Sequence, residues 1–208
     1  MNEFLATFTI ASLLSSLFIA GVVGIEFLRR KYQYSPEITR RIVHIFSGLC
    51  TILDYLLLPG IWFVVLITTS MVGIYLSQRR GWLTSVHNVK KRTFGEVFLP
   101  IGSLATYAIS LDGFGNSRII YFIPALLIMT FADAAAGITS DLLKLQRKSR
   151  RGSAVFFLVT FAILASFQEV ALTAFFLAVT LTLVERWSKF GSDNLTIPVA
   201  AALLLRFF

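Results

Sequence analysis

Five ionisable side chains interrupt the apolar runs of this sequence: Glu26, His44, Asp54, Glu96 and Asp133. A charge near the centre of a bilayer costs roughly 2.5 kcal/mol or more, so each needs a local reason. Glu26 lies within a turn of Arg29-Arg30-Lys31 and reads as an interfacial, snorkelling residue, and Asp54 reads the same way. Glu96 and Asp133 have no such escape and are candidates for chemistry. His44 joins them because of its neighbours. If residues 37–44 are helical, Glu37, Arg41 and His44 share one stripe at i, i+4 and i+7, flanked by Arg40. A helix end bearing two arginines and a histidine suits an anionic ligand. A stop-transfer cluster with a Glu–Arg pair is the plainer reading.

Lys148-Ser149-Arg150-Arg151-Gly152-Ser153 stands directly before an apolar run. Backbone N–H groups at a helix start are unpaired and sit at the positive end of the dipole, which draws phosphate. Gly152 permits close backbone approach, Ser149 and Ser153 can cap or donate, and Lys148 supplies a point charge. The G-x-x-x-x-G-K spacing of a Walker A loop is absent. Small residues surround Asp133, so another helix or a ligand can come close to it. Further along, Glu185 precedes Arg186, and Asp193-Asn194 opens the last apolar run, where either residue can serve as an N-cap or face a polar cavity. Acids beside a phosphate site suit Mg²⁺, which takes oxygen ligands from one or two carboxylates plus substrate phosphates. Asp133 and Asp193 are the candidate ligands.

The elements that position these residues are membrane spans. Hydrophobic residues make up 56% of the 208, charged residues 14%, and the mean hydropathy is +0.78. A soluble domain carries about 25% charge, so this chain lacks the polar surface to cover itself in water. A soluble nucleic-acid module, a disordered chain and a disulfide scaffold are excluded. The lone Cys50 forms no intrachain disulfide. The composition predicts an all-α, polytopic transmembrane bundle in a single domain, residues 1–208. Apolar runs fall near residues 4–28, 42–58, 61–77, 93–111, 118–142, 153–167, 170–184 and 195–208, giving about eight spans, with seven as the alternative. The first is read as a retained span rather than a signal peptide.

Loops 29–41, 79–92, 141–152 and 186–192 hold 17 of the 19 Lys and Arg residues and alternate with loops nearly free of them. The positive-inside rule places these four loops in the cytoplasm and both termini outside. The net charge of +8 is then a topology signal, and no nucleic-acid partner is expected. Glu26, His44, Glu96 and Asp133 all fall in the cytoplasmic half, Asp133 about 12 Å deep at 1.5 Å per residue. This one-sided arrangement favours an enzyme cavity open to the cytoplasm over a small transporter of an anionic solute, which needs polar residues through both leaflets. A non-catalytic scaffold leaves Glu96 and Asp133 unexplained. The minimal loops point to a prokaryotic cell membrane rather than the endoplasmic reticulum.

Taken in order, Glu37-x-x-Arg40-Arg41-x-x-His44-x-x-x-Gly48, Arg92-x-x-Gly95-Glu96, Asp133-x-x-Ala136-Gly137, Lys148-Ser149-x-x-Gly152-Ser153, and Glu185 followed by Asp193-Asn194-Leu195-x-x-Pro198 resemble the polyprenol kinase family. The resemblance covers residues 37–200, and the first span, 1–28, is less tied to it. The family includes dolichol, phytol and farnesol kinases and CTP-dependent diacylglycerol kinases. Family members often carry Gly where this chain has Ala132, and a second glycine where it has Asp141-Leu142-Leu143-Lys144. The resemblance implies transfer of the γ-phosphate of a nucleoside triphosphate, usually CTP, to a lipid alcohol of the polyprenol, phytol or geranylgeraniol type, or to diacylglycerol. It implies phosphate binding by Arg40, Arg41, Arg92, Lys148, Ser149, Gly152, Ser153 and Asn194. Mg²⁺ would be held by Asp133, Asp193 and Glu185, and the alcohol oriented or deprotonated by Asp133, Glu96 or His44.

Overall fold

The computed structural model describes residues 2–80, 94–115, 117–143 and 148–208. Among these, the structure is helical throughout, apart from connecting turns and an isolated bridge between Leu111 and Ser117. The helices are α1 (Asn2–Tyr32), α2 (Pro36–Leu57), α3 (Gly60–Arg80), α4 (Gly95–Ser110), α5 (Ile119–Leu127), α6 (Asp133–Leu142), α7 (Arg150–Ala165), α8 (Ala171–Trp187) and α9 (Asp193–Phe207). A π-helical turn, Ile128–Ala132, joins α5 to α6 in one continuous rod. The described residues thus form one rod for each apolar run of the sequence. Three stretches are long and apolar enough to cross a membrane by length and composition: Glu3–Tyr32, Gly60–Ser77 and Ile119–Leu142.

The rods fall into two compact units, Met1–Lys90 and Lys91–Phe208. In the first, Phe46 of α2 lies over Gly21 of α1, where any Cβ would strike the ring. Phe46 also stacks on Phe18 at 6.3 Å. Val22 and Val43 form the buried centre of this contact. The start of α2 is built from its sequence: Ser35 Oγ accepts from the Ile38 amide at 3.3 Å, and Pro36 occupies the first turn, where its missing N–H costs nothing. Helix α2 therefore contains the whole predicted stripe of Glu37, Arg41 and His44. Glu26, buried at 6% exposure, pairs with Arg30 at 2.6 Å and with Arg29 at 3.6 Å on its own helix.

In the second unit, α4 and α9 run parallel. Asn194 Nδ2 donates to the Gly95 carbonyl at 2.7 Å at their starts, and Arg206 Nη1 donates to the Ile109 carbonyl at 2.7 Å near their ends. Gly102 makes the close approach possible, because a Cβ there would run into the Asn194 carbonyl. Helices α7 and α8 form a hairpin closed by Phe157, Phe161 and Phe175, with the Phe157–Phe175 rings edge to face at 5.6 Å. The turn between them spans Gln168 and Glu169, where the sequence divides its sixth and seventh runs.

The π turn was not foreseen. It follows Pro124, which cannot donate to the preceding turn. The amide of Asp133 closes it by donating to the Ile128 carbonyl five residues back. Such turns shift the register of a helix by one residue and are frequent at functional sites. Here the shift falls immediately before the buried acid.

Candidate active site

Lys148 is the hub of the second unit. Its Nζ lies 2.8 Å from Glu185 Oε1 and 3.3 Å from Asp193 Oδ2, and it also donates to the Glu185 backbone carbonyl. Glu185 is the buried partner, with its side chain 5% exposed, while Lys148 retains 29%. Burial works against the charge on Lys148, but Asp193, Glu185 and Asp133 outweigh it and raise the ammonium above its ordinary value of 10.5. The lysine is therefore a fixed cation. On it the lead-in to α7 meets the end of α8 and the start of α9, 37 and 45 residues further along the chain.

The start of α7 folds as its sequence asks. Ser149 is the N-cap, its Oγ accepting from the Gly152 amide at 2.9 Å, while its carbonyl accepts from the Ser153 amide. Ser153 Oγ donates to Glu185 Oε2 at 3.3 Å, so both Glu185 oxygens are engaged. Gly152 lies against α6: a Cβ there would sit 2.9 Å from Ser140 Oγ and 3.1 Å from the Ala136 carbonyl. The small-residue stripe after Asp133 is thus the surface on which the start of α7 rests. Ser140, whose Oγ is 3.5 Å from Ser149 Oγ, was missed by the sequence reading. It stands seven residues after Asp133, hence on the same helical stripe, and that spacing was the available signal.

The second unit brings together Asp133, Lys148, Ser149, Gly152, Ser153, Glu185 and Asp193. Asp133 is 5% exposed at the first position after the π turn. Glu96 is half-buried in the first turn of α4, next to the Gly95 carbonyl that Asn194 holds. Neither Asp193 nor Asn194 is the N-cap of α9; that residue is Ser192. Asn194 instead ties two helix starts together, and Asp193 turns to Lys148. The preceding Phe190 and Gly191 both have positive φ, 56° and 84°. The sharp loop they form lets the Phe190 carbonyl accept from the Phe94 amide at 3.0 Å. In the first unit, His44 is buried on α2 and Arg40 and Arg41 are half-buried. Arg92 lies outside the described residues.

Among the described residues, no group of three or more His, Cys, Asp or Glu side chains forms a cage for a metal ion. Around Lys148 both Glu185 oxygens and one Asp193 oxygen are already engaged, by the lysine ammonium and the Ser153 hydroxyl.

Fold and site together define a membrane protein, helical among the described residues, with a half-buried lysine held between two carboxylates in one helical unit. The chain is similar to the phytol kinase of Synechocystis sp., with 28% identity over 92% of this chain and 88% of that protein. That similarity runs nearly the full length of both chains. No family model matches the chain, and no solved structure matches it.

Proposed function

We propose that this chain is a lipid-alcohol kinase that transfers the γ-phosphate of a nucleoside triphosphate, CTP by family resemblance, to an isoprenoid alcohol in the membrane. The observation that carries this reading is the fixed Lys148 cation held among Glu185, Asp193 and Asp133, in a chain similar along its length to a phytol kinase. Phosphoryl transfer asks mainly for positioning and charge neutralisation, and this cluster offers both. The alcohol oxygen forms a bond to the γ-phosphorus, the bond from that phosphorus to the β–γ bridging oxygen breaks, and the nucleoside diphosphate leaves with that oxygen. The alcohol proton passes to an acceptor, for which the buried carboxylate of Asp133 is the candidate. Glu96 and His44 are the other groups in the sequence pattern able to take it.

By family resemblance, Arg40, Arg41, Arg92 and Lys148 would supply positive charge to the phosphates. Ser149, Gly152 and Ser153 shape the start of α7, and Asn194 holds α4 against α9. Asp133, Asp193 and Glu185 would hold Mg²⁺, which would neutralise phosphate charge when bound. The parallel course of α4 and α9 supports the eight-span reading, since spans four and eight then cross in the same direction. It also supports a site at the cytoplasmic ends, beside the basic loops.

The test is transfer of label by the detergent-purified chain with Mg²⁺. It receives γ-labelled CTP or ATP, against phytol, geranylgeraniol, a long polyprenol and diacylglycerol. A labelled isoprenoid phosphate is the expected product, formed faster with CTP. Absence of label with every pair, from protein shown to be folded, overturns the kinase reading and calls for anion-flux assays in liposomes.

A further inference from the structure

The helix ends that converge near Lys148 carry side chains that phosphoryl transfer does not use. Arg150 and Arg151 open α7, and Arg186 and Lys189 stand at the end of α8 and just beyond it. All four are exposed, and none forms an ion pair among the described residues. The acids close by are taken up or covered: Glu185 and Asp193 are turned to Lys148, and Glu96 and Asp141 are half-buried. The surface charge of this rim is therefore positive.

Aromatic rings stand among these cations. Trp187, the last residue of α8, is 74% exposed, Phe190 is 72% exposed, and Phe94, just before α4, is 59% exposed. Phe190 also has a φ of 56°, in the left-handed region that a bulky residue rarely adopts. Its loop is nonetheless fixed. The Phe190 carbonyl accepts from the Phe94 amide at 3.0 Å, the Ser188 and Thr196 hydroxyls bond at 2.6 Å, and Ser192 Oγ accepts from the Lys189 amide at 3.2 Å. A rigid loop that keeps a strained phenylalanine in the open presents that ring to something outside the chain. Exposed rings mixed with Lys and Arg suit the membrane–water interface, where rings sit at headgroup level and cations meet lipid phosphates. A free nucleotide would use the cations and leave three rings in water.

We infer that this rim is seated in the headgroup layer of a leaflet that contains anionic phospholipid, with its cations on the lipid phosphates and its rings among the headgroups. The Lys148 centre is thereby held at headgroup depth. The inference goes beyond the kinase reading and does not depend on it.

The test uses the full chain in bilayers of equal parts phosphatidylcholine and phosphatidylglycerol. The motionally restricted fraction of a spin-labelled trace of each lipid is read by electron paramagnetic resonance. Phosphatidylglycerol is expected to associate about threefold more strongly, a preference that weakens as salt rises. Arg150→Gln, Arg151→Gln, Arg186→Gln and Lys189→Gln together are expected to remove about half of that preference. Should that variant fail to insert, Arg186→Gln with Lys189→Gln is read instead, with a smaller fall in the same direction. Equal association of the two lipids, or a preference that the substitutions leave unchanged, overturns the inference. So does loss of the preference on adding CTP, which would give these cations to the nucleotide. In a chain carrying Trp62→Phe and Trp82→Phe, Trp187 is the remaining tryptophan. Its fluorescence is expected to be quenched more by lipids brominated near the glycerol end of the acyl chain than by lipids brominated near the methyl end; the reverse order overturns the inference. A preference for anionic lipid without phosphate transfer to any alcohol sinks the kinase reading and leaves the rim standing, and transfer without the preference does the converse.

Discussion

Replacing Lys148 by methionine keeps the length of the side chain and removes its charge. Glu185, 5% exposed, then loses its ion pair at 2.8 Å and keeps only the hydroxyl of Ser153. Asp193, 18% exposed, loses the weaker contact at 3.3 Å and turns to solvent at little cost. Breaking a buried pair by removing one partner costs roughly 3–5 kcal/mol. The 29% exposure of Lys148 puts the expected loss at the lower end, about 3 kcal/mol. At roughly 2–4 °C per kcal/mol for a chain of this size, the melting temperature in detergent falls by about 6–12 °C. Lys148→Arg retains the charge and recovers part of the loss. Adding Glu185→Gln to Lys148→Met recovers most of it, because the orphaned charge is gone while the new amide oxygen still accepts from Ser153; the coupling between the two sites is about 1–3 kcal/mol. Since the folded-state pKa of Lys148 is raised, its contribution is fully present below the ordinary value of 10.5 and is lost only as pH rises through the higher folded value. The gap between the natural chain and Lys148→Met is therefore flat from neutral to mildly alkaline pH. A melting temperature unchanged in Lys148→Met, or strictly additive effects of the two substitutions, refutes the account of Lys148 as the charge that holds α7, α8 and α9 together.

Asp133→Asn keeps the shape of the side chain and is expected to abolish phosphate transfer while expression and membrane insertion stay normal; full activity removes Asp133 from the site. Gly152→Val drives side-chain carbons into Ser140 Oγ and the Ala136 carbonyl. It is expected to cost about 1–3 kcal/mol and to lower activity through displacement of Lys148 and Ser149, read as a lower melting temperature with a higher KM for the nucleotide. Normal values for both would show that the start of α7 does not rest on α6 as described.

The resemblance to the family came from spacing, and spacing needs no tertiary contact. So did the rods, because a chain this apolar must satisfy its backbone internally and helices do so locally. The cap at Ser149 and the ion pairs of Glu26 were legible for the same reason, being contacts within four residues. The sequence also marked Asp133, Lys148, Glu185 and Asp193 as residues in search of partners. It held no information on who partners whom. Lys148 reads as a free point charge before an apolar helix, yet its partners stand 37 and 45 residues away, and only the folding of α8 and α9 back onto α7 decides that two carboxylates share it. Asn194 reads as a cap and instead bonds Gly95 across 99 residues, because the parallel approach of α4 and α9 leaves its amide facing that carbonyl. The π turn, closed by the Asp133 amide on the Ile128 carbonyl, has no periodic signal in the sequence. The helices, their membrane setting and the identity of the charged groups follow from periodicity and composition, which act locally along the chain. The pairing of those groups belongs to the tertiary structure, because each pair is a contact between helices that no local pattern encodes.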